Sequence, residues 1–204
     1  MNKYVQLMKN AIDKYYTTAK NADGSIEQAK QRYQPGVASE EIEKINTELE
    51  TAKRGAIDAI NAARDSGIED AKRWGKLDGS EINDGDMKLL KYDLSPDQFA
   101  DMVERNKNNG TMCFILKQYA DEHNRPETTP GERGSVGRFT TLVIPTVEEK
   151  IQAYTSIASN AVGVVENLTG YGWGKGVNSP FVESTVKEFG TPNAFNSDIY
   201  AAIE

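Results

Sequence analysis

Residues 19–30, "AKNADGSIEQAK", decide the fold because they are compatible with two opposite structures. They contain four turn-forming residues, Asn21, Asp23, Gly24 and Ser25. A Gly-Ser pair also commonly precedes a new helix. A turn here would make the first third of the chain a stack of short helices, whereas a continuous helix would make it one long hairpin.

The spacing of apolar side chains favours the continuous helix. Two series of positions seven residues apart are apolar or aromatic throughout, and their phase does not slip across Asp-Gly-Ser. The series are Val5, Ile12, Ala19, Ile26 and Tyr33, and Met8, Tyr15, Ala22 and Ala29. Gly24 costs about 1 kcal/mol in a helix interior, which this many in-phase positions can outweigh. The pattern predicts one helix over about residues 3–33.

A second long helix follows and closes a hairpin. "YQPGVASEE" predicts a break at Pro35-Gly36 and a new helix capped by Ser39. Its seven-residue series are Ile42, Leu49, Ala56 and Ala63, and Ile45, Ala52 and Ala59, with a flanking stripe of Ile57, Ile60 and Ile68. The helix should end near Trp74-Gly75. Residues 1–75 are therefore predicted to form an antiparallel coiled-coil hairpin, with room along the flanking stripe for a third helix.

Residues 76–123 are predicted to form short capped helices. Ser95 is a candidate N-cap, Pro96 suits the first helical position, and Gln98 completes a capping box. Phe99, Met102 and Val103 should form the buried face of this helix. Thr111 is the candidate cap of the next helix.

The rest of the chain contains a loop and a third long helix. Residues 124–145 are rich in proline and glycine, which excludes a helix, and "RFTTLVI" at 138–144 is the one candidate strand. Residues 146–204 repeat the heptad with Val147, Tyr154, Ala161 and Leu168, and with Ile151, Ala158 and Val165. Shorter helices follow, the first capped by Ser179 and stopped by Gly190. The fold class is therefore all-α, a single elongated helical bundle.

Composition excludes several kinds of function. The 31 acidic and 24 basic side chains give a net charge of −7, and no segment forms the basic stripe that nucleic-acid binding requires. One cysteine, Cys113, and one histidine, His123, allow neither a disulfide nor a Cys/His zinc cluster. Nothing reaches the length of a membrane span or resembles a signal peptide. We expect no cofactor, no metal, no nucleic acid and no membrane, and a location in a virion or the host cytoplasm.

No catalytic constellation stands out, so no catalytic residue is assigned. Asp84 and Asp86 are a carboxylate pair of the kind that an acidic chain contains by chance. Residues 78–86, "DGSEINDGD", lack the ligand spacing of a calcium loop. Arg125, Arg133 and Arg138 could hold an anionic partner, but solvated loop arginines are the more common case.

The segment "GYGWGKG" at residues 170–176 supplies the candidate interface residues. Tyr171 and Trp173 could be presented to a partner, since Trp and Tyr dominate interface hot spots. In the alternative interpretation the segment is a hinge whose aromatic rings fold back onto the chain's own core.

Residues 94–123, "LSPDQFADMVERNKNNGTMCFILKQYADEH", carry a family resemblance. A Leu-Ser opening with Gln four residues later, an Asn-rich turn and a Thr-Met…Tyr-Ala helix resemble uncharacterised accessory proteins encoded among the structural genes of tailed phages of Gram-positive hosts. The resemblance covers some thirty residues. It implies a virion or assembly component without catalytic residues.

Three functional hypotheses remain open. The first is a non-enzymatic phage structural or assembly protein that acts through helical self-association, as a homo-oligomer or with other virion proteins. The second is a helical hairpin that binds or inhibits a host or partner protein; the ending "YAAIE" fits a Tyr-x-x-x-Glu export signal, but the companion Trp-x-Gly is missing from the interhelical turn. The third is an enzyme with an unrecognised site.

Overall fold

The computed structural model describes residues 2–124, 139, 145–168, 177–191, 195 and 197–203. The fold is all-α, as predicted, and the described residues contain no strand. The chain divides into two compact units, one formed by residues 1–69 with 148–204 and the other by residues 70–147. The boundary between the units falls inside a helix.

The first helix, α1, runs without interruption through the Asp-Gly-Ser triplet, which confirms the prediction. It spans Lys3–Arg32 and is capped by Asn2, whose side-chain oxygen accepts a hydrogen bond from the Tyr4 N–H. Gly24 and its neighbours are solvent-exposed, so the turn-forming residues lie on the outer face of the helix. Of the nine predicted core positions only Ile26 and Tyr33 are not buried; Tyr33 is 49% exposed.

The second helix, α2, spans Pro35–Trp74 and forms a helical hairpin with α1. The predicted break between the two helices is present, but it lies at residues 33–34 and not at Pro35-Gly36, and the predicted cap at Ser39 is wrong. The first helical hydrogen bond runs from the Ala38 N–H to the Gln34 carbonyl, which places Pro35 at the first helical position. Proline fits there because its missing N–H would have no partner in the first turn anyway. The Ser39 hydroxyl donates instead to the Pro35 carbonyl, inside the helix.

The buried stripe of α2 differs in phase from the predicted one. It consists of five residues spaced three or four apart: Ala56, Ile60, Ala63, Gly67 and Ala71. Ile60, predicted as flanking, is completely buried, whereas Ala59, a predicted core position, is exposed. A straight helix with 3.6 residues per turn drifts from an exact seven-residue repeat, and the core follows the drift.

The third long helix, α6 (Val147–Leu168), packs against both hairpin helices. The Tyr154 ring meets Tyr4 edge-on at 5.6 Å between centroids, and the Asn2 amide donates to the Tyr154 hydroxyl at 3.1 Å. On α2, a Cβ at Gly67 would lie 2.9 Å from the same ring. Glycine at position 67 therefore permits a helix approach that any larger residue would obstruct.

Two short helices complete the first unit. The helix α7 (Pro180–Glu188) has Ser179 as N-cap and ends before Gly190, whose φ of 88° is the conformation that glycine favours, so both predicted signals are confirmed. It packs on α1, where the Lys9 ammonium donates to the Val186 carbonyl. The helix α8 spans Ser197–Ala201. The chain end is held by hydrogen bonds to the Ile203 and Ala202 carbonyls from Asn2 and Lys150 respectively.

The second unit contains a short 3₁₀ helix (Gly79–Glu81), α3 (Asp84–Leu89), α4 (Pro96–Asn106) and α5 (Gly110–His123). The capping box of Ser95 and Gln98 is present, and Phe99 and Met102 are buried while Val103 packs partly buried beside them. The predicted cap at Thr111 is wrong. Asn109 caps α5 instead, and the buried Thr111 hydroxyl accepts a hydrogen bond from the Asp78 N–H.

An aromatic core joins α4 and α5. The Phe139 ring lies 4.6 Å from Phe99 and 5.7 Å from Tyr119 between centroids. The Asn124 amide forms two hydrogen bonds with the Phe139 backbone, donating to its carbonyl and accepting from its N–H. Apart from Phe139, the predicted strand at 138–144 lies outside the described residues.

The same substitution, glycine to alanine, tests the continuity of α1 at position 24 and the close approach of α6 to α2 at position 67. We expect Gly24→Ala to raise the free energy of unfolding by about 1 kcal/mol, because a Cβ there meets nothing within 4 Å and alanine is the better helix former. Gly67→Ala should lower it by about 1–3 kcal/mol, because the added methyl overlaps the buried Tyr154 ring. Urea unfolding followed by circular dichroism measures both. An equal response of the two variants would contradict the packing of α6 on α2.

Candidate interaction surface

The interface candidates from the sequence, Tyr171 and Trp173, lie outside the described residues, as do Arg125, Arg133 and Arg138. The candidate interaction surface described below lies on the hairpin of α1 and α2, whose side chains the structure describes along its whole length.

The end of α6 divides the hairpin into two parts. Tyr154 lies level with the start of α1, and the Asn178 amide, which precedes α7, donates to Asp23 of α1. Leu168 is fourteen residues beyond Tyr154, a rise of about 21 Å. Measured from Gly67 along the antiparallel α2, this rise reaches about residue 53. Beyond that level, α2 has no third helix beside it in the part of the chain that the structure describes, while α7 accompanies α1 as far as Asp23.

The exposure of the α2 side chains changes at the same level. The stripe from Ala56 to Ala71 is buried, but the preceding apolar positions are only partly buried: Ile42, Ile45, Leu49 and Ala52. The fully buried apolar residues of this distal part are small, namely Ala22, Ala29 and Ala38. The distal hairpin therefore carries an incompletely covered apolar line.

The tip of the hairpin exposes two larger apolar side chains. Tyr33 is 49% exposed and Val37 is 53% exposed, on either side of the connection between α1 and α2. Sequence analysis placed Tyr33 in the core because it matched the repeat. It is exposed because the helix ends one residue earlier, at Arg32, and Tyr33 has extended backbone angles.

A shallow polar groove runs along α2 in the same distal part, and sequence analysis did not identify it. Glu43 lies towards one end and Arg54 at the other, with Asn46, Thr47, Glu50 and Thr51 between them. The hydroxyls of Thr47 and Thr51 donate to the backbone carbonyls four residues earlier. These two hydroxyls are therefore engaged within α2 itself.

The acidic stretch at residues 78–86 is structural. Asp78 caps the 3₁₀ helix by accepting hydrogen bonds from the N–H and hydroxyl of Ser80, and Asn83 caps α3. Asp86 is buried and accepts two hydrogen bonds from the Arg105 guanidinium, the shorter at 2.6 Å, and one from Asn106 at 2.6 Å. The carboxylate thereby links α3 to α4.

These contacts set the ionisation of Asp86. Burial alone would raise the pKa of this carboxyl, but the hydrogen bonds from Arg105 and Asn106 and the guanidinium charge together outweigh burial and hold the pKa below its usual value. The Asp86 carboxylate is thus held in its ionised form by contacts within the second unit.

Cys113 and His123 also have local structural roles. The Cys113 thiol is buried and faces the Asn106 carbonyl at 3.4 Å. His123 ends α5; its Nδ1 lies 2.8 Å from the Tyr119 carbonyl, and its ring stacks on Tyr119 at 3.9 Å between centroids. Among the residues that the structure describes, no group of three or more His, Cys, Asp or Glu side chains is placed to hold a metal ion.

The Asp86 link predicts acid-sensitive stability. Because the folded-state pKa is depressed, the stabilisation is present above the unfolded-state value of about 3.9 and is lost as pH falls through the folded-state pKa. We expect Asp86→Asn to lower the free energy of unfolding by about 1–3 kcal/mol at pH 7 and to flatten its decline below about pH 4. Thermal melts at pH 7 and pH 3 measure this.

Asp84→Asn is the matched control, because Asp84 is exposed on the same helix. Its effect should stay within about 0.5 kcal/mol. Identical melts for the two variants would show that the Asp86 contacts do not stabilise the unit.

The described helices include none that is long and apolar enough to cross a membrane. Comparison of the chain with family models, with curated proteins and with solved structures finds no match.

Proposed function

We propose that this chain is a non-enzymatic protein that works through helical self-association, as a structural or assembly component of a phage virion. The observation that carries the proposal is the partly covered apolar line of Ile42, Ile45, Leu49 and Ala52 on the distal hairpin. A helix that is incompletely buried on its apolar side gains free energy when another helix covers it. A second copy of the hairpin offers the same apolar line.

The charge and shape of the hairpin support this proposal. Exposed faces of α1 and α2 carry intrahelical ion pairs, such as Lys30 with Glu27 and Lys44 with Glu41, which are typical of long solvent-facing helices. The alanines of the distal core favour close helix packing. Rods of this kind commonly work by contacting other helices.

The phage part of the proposal rests on the resemblance of residues 94–123. Capsid or portal genes beside the gene for this chain would support it, and a neighbourhood of purely metabolic genes would count against it.

The alternative function is a hairpin that binds or inhibits a host or partner protein. The exposed tip favours it, because Tyr33 and Val37 present apolar surface at one end of the rod and tyrosine is enriched at interface hot spots.

The oligomeric state distinguishes the two functions. We expect native mass spectrometry and light scattering to give a dimer or larger assembly at tens of micromolar, and dilution to shift the mass towards the monomer, because association follows mass action. A strict monomer over this range would rule out self-association and favour the alternative.

A further inference from the structure

We infer that Asn109 is a deamidation site, and that the folded second unit keeps its side chain from reacting until the contact between Asn109 and Glu81 opens. Asn109-Gly110 is the one Asn-Gly pair in the sequence. The inference rests on the conformation of this pair and on its contacts, all of which lie within the second unit. It is independent of the proposed self-association.

Deamidation of an asparagine that precedes glycine needs no reactant besides water. The backbone nitrogen of Gly110 loses its proton and attacks the Asn109 Cγ, the side-chain amide leaves as ammonia, and a five-membered succinimide ring forms. Water then opens the ring at either carbonyl, which gives aspartate or isoaspartate. Glycine favours ring closure because it has no Cβ to hinder the approach of its nitrogen.

The fold requires both members of this labile pair. Asn109 is the N-cap of α5: its Oδ1 accepts a hydrogen bond from the Met112 N–H at 3.0 Å, and its Nδ2 donates to the Glu81 carbonyl at 2.6 Å. Aspartate could supply the accepting atom but not the donating one. A Cβ at Gly110 would overlap the Trp74 carbonyl oxygen, so a larger residue does not fit there. The contacts explain why a chemically labile pair occupies this position.

The same contacts hold Asn109 in a conformation that does not allow ring closure. The ring closes only when the Gly110 nitrogen lies on the same side of the Asn109 Cα–C bond as the side chain. The Asn109 ψ of 102° turns this nitrogen away from the Cβ. Gly110 is buried and begins α5, so rotation about this bond would break the start of the helix. The reaction therefore requires local opening of the second unit.

Conversion would weaken the start of α5. Aspartate keeps the capping oxygen, but both oxygens of its carboxylate are acceptors, so the Glu81 carbonyl loses its donor. Isoaspartate in addition routes the main chain through Cβ, which displaces Gly110 from its close approach to Trp74. Each product thus favours the open form in which it arises, and deamidation records irreversibly that the second unit has opened.

The rate of deamidation in the full chain and in a peptide tests the inference. Trypsin cleaves after Lys107 and Lys117, so mass spectrometry of residues 108–117 follows Asn109, and fragment ions separate it from Asn108. A synthetic peptide of the same residues gives the rate without the fold. In mildly alkaline buffer we expect Asn109 to react in the peptide and at least about tenfold more slowly in the folded chain, because only the open fraction reacts.

The variant Asp78→Ala tests whether the Glu81 contact provides the protection. Asp78 caps the 3₁₀ helix that contains Glu81, so its removal loosens that helix without changing the sequence around Asn109. We expect it to raise the rate in the folded chain about threefold or more. The matched control is Asp84→Ala, because Asp84 is exposed and lies outside the 3₁₀ helix. It should leave the rate within about twofold of wild type.

Any of three results overturns the inference. A folded chain that reacts as fast as the peptide is not protected, and a peptide that does not react contains no deamidation site. Equal rates for Asp78→Ala and Asp84→Ala, with circular dichroism showing both folded, mean that the protection does not depend on Glu81. The comparison of chain and peptide stands even where Asp78→Ala does not fold. None of these results bears on self-association, so the proposed function is tested separately.

Discussion

The contact between Tyr154 of α6 and Gly67 of α2 determines how the first unit is built. The tyrosine ring fits against the bare glycine backbone, and its hydroxyl accepts a hydrogen bond from the Asn2 amide that also caps α1. One side chain therefore fixes three helices at one level. Because α6 is 22 residues long and α2 is 40, this fixed level leaves the first part of α2 without a third helix among the residues that the structure describes.

Much of the fold follows from the apolar spacing, and the errors have local causes. The continuous α1 was predictable because the seven-residue phase passes through Gly24 unchanged. The exposure of Ala59 and the burial of Ile60 were not, because over forty residues a straight helix drifts from the exact repeat. The prediction at Pro35 was wrong because proline disrupts a helix when it lies in the interior, whereas it is well tolerated in the first turn, where Pro35 lies.

The candidate surface was harder to predict than the fold. The sequence pointed to Tyr171 and Trp173 as aromatic residues in a glycine-rich segment, which is a signal of composition. The groove from Glu43 to Arg54 has no unusual composition, since serine, threonine and glutamate are ordinary on a helix surface. The groove is visible only when the structure shows which residues of α2 share one exposed face. Asp86 was similarly hidden, because nothing in the sequence pairs it with Arg105.

The distal hairpin has little to hold it together on its own. Its buried side chains are alanines, and each buried methyl contributes only about 0.8 kcal/mol, whereas ordering a backbone residue costs about 1–2 kcal/mol before hydrogen bonds and packing are counted. In the part of the hairpin that packs against α6, the burial of four large side chains offsets this cost. They are Met8, Ile12, Tyr15 and Ile60, all essentially inaccessible to solvent. A helix that covered the distal part would therefore stabilise the hairpin more than one that packed against the part already buried by α6. The partly buried Ile42 and Ile45 lie in that part, where a covering helix would add apolar burial.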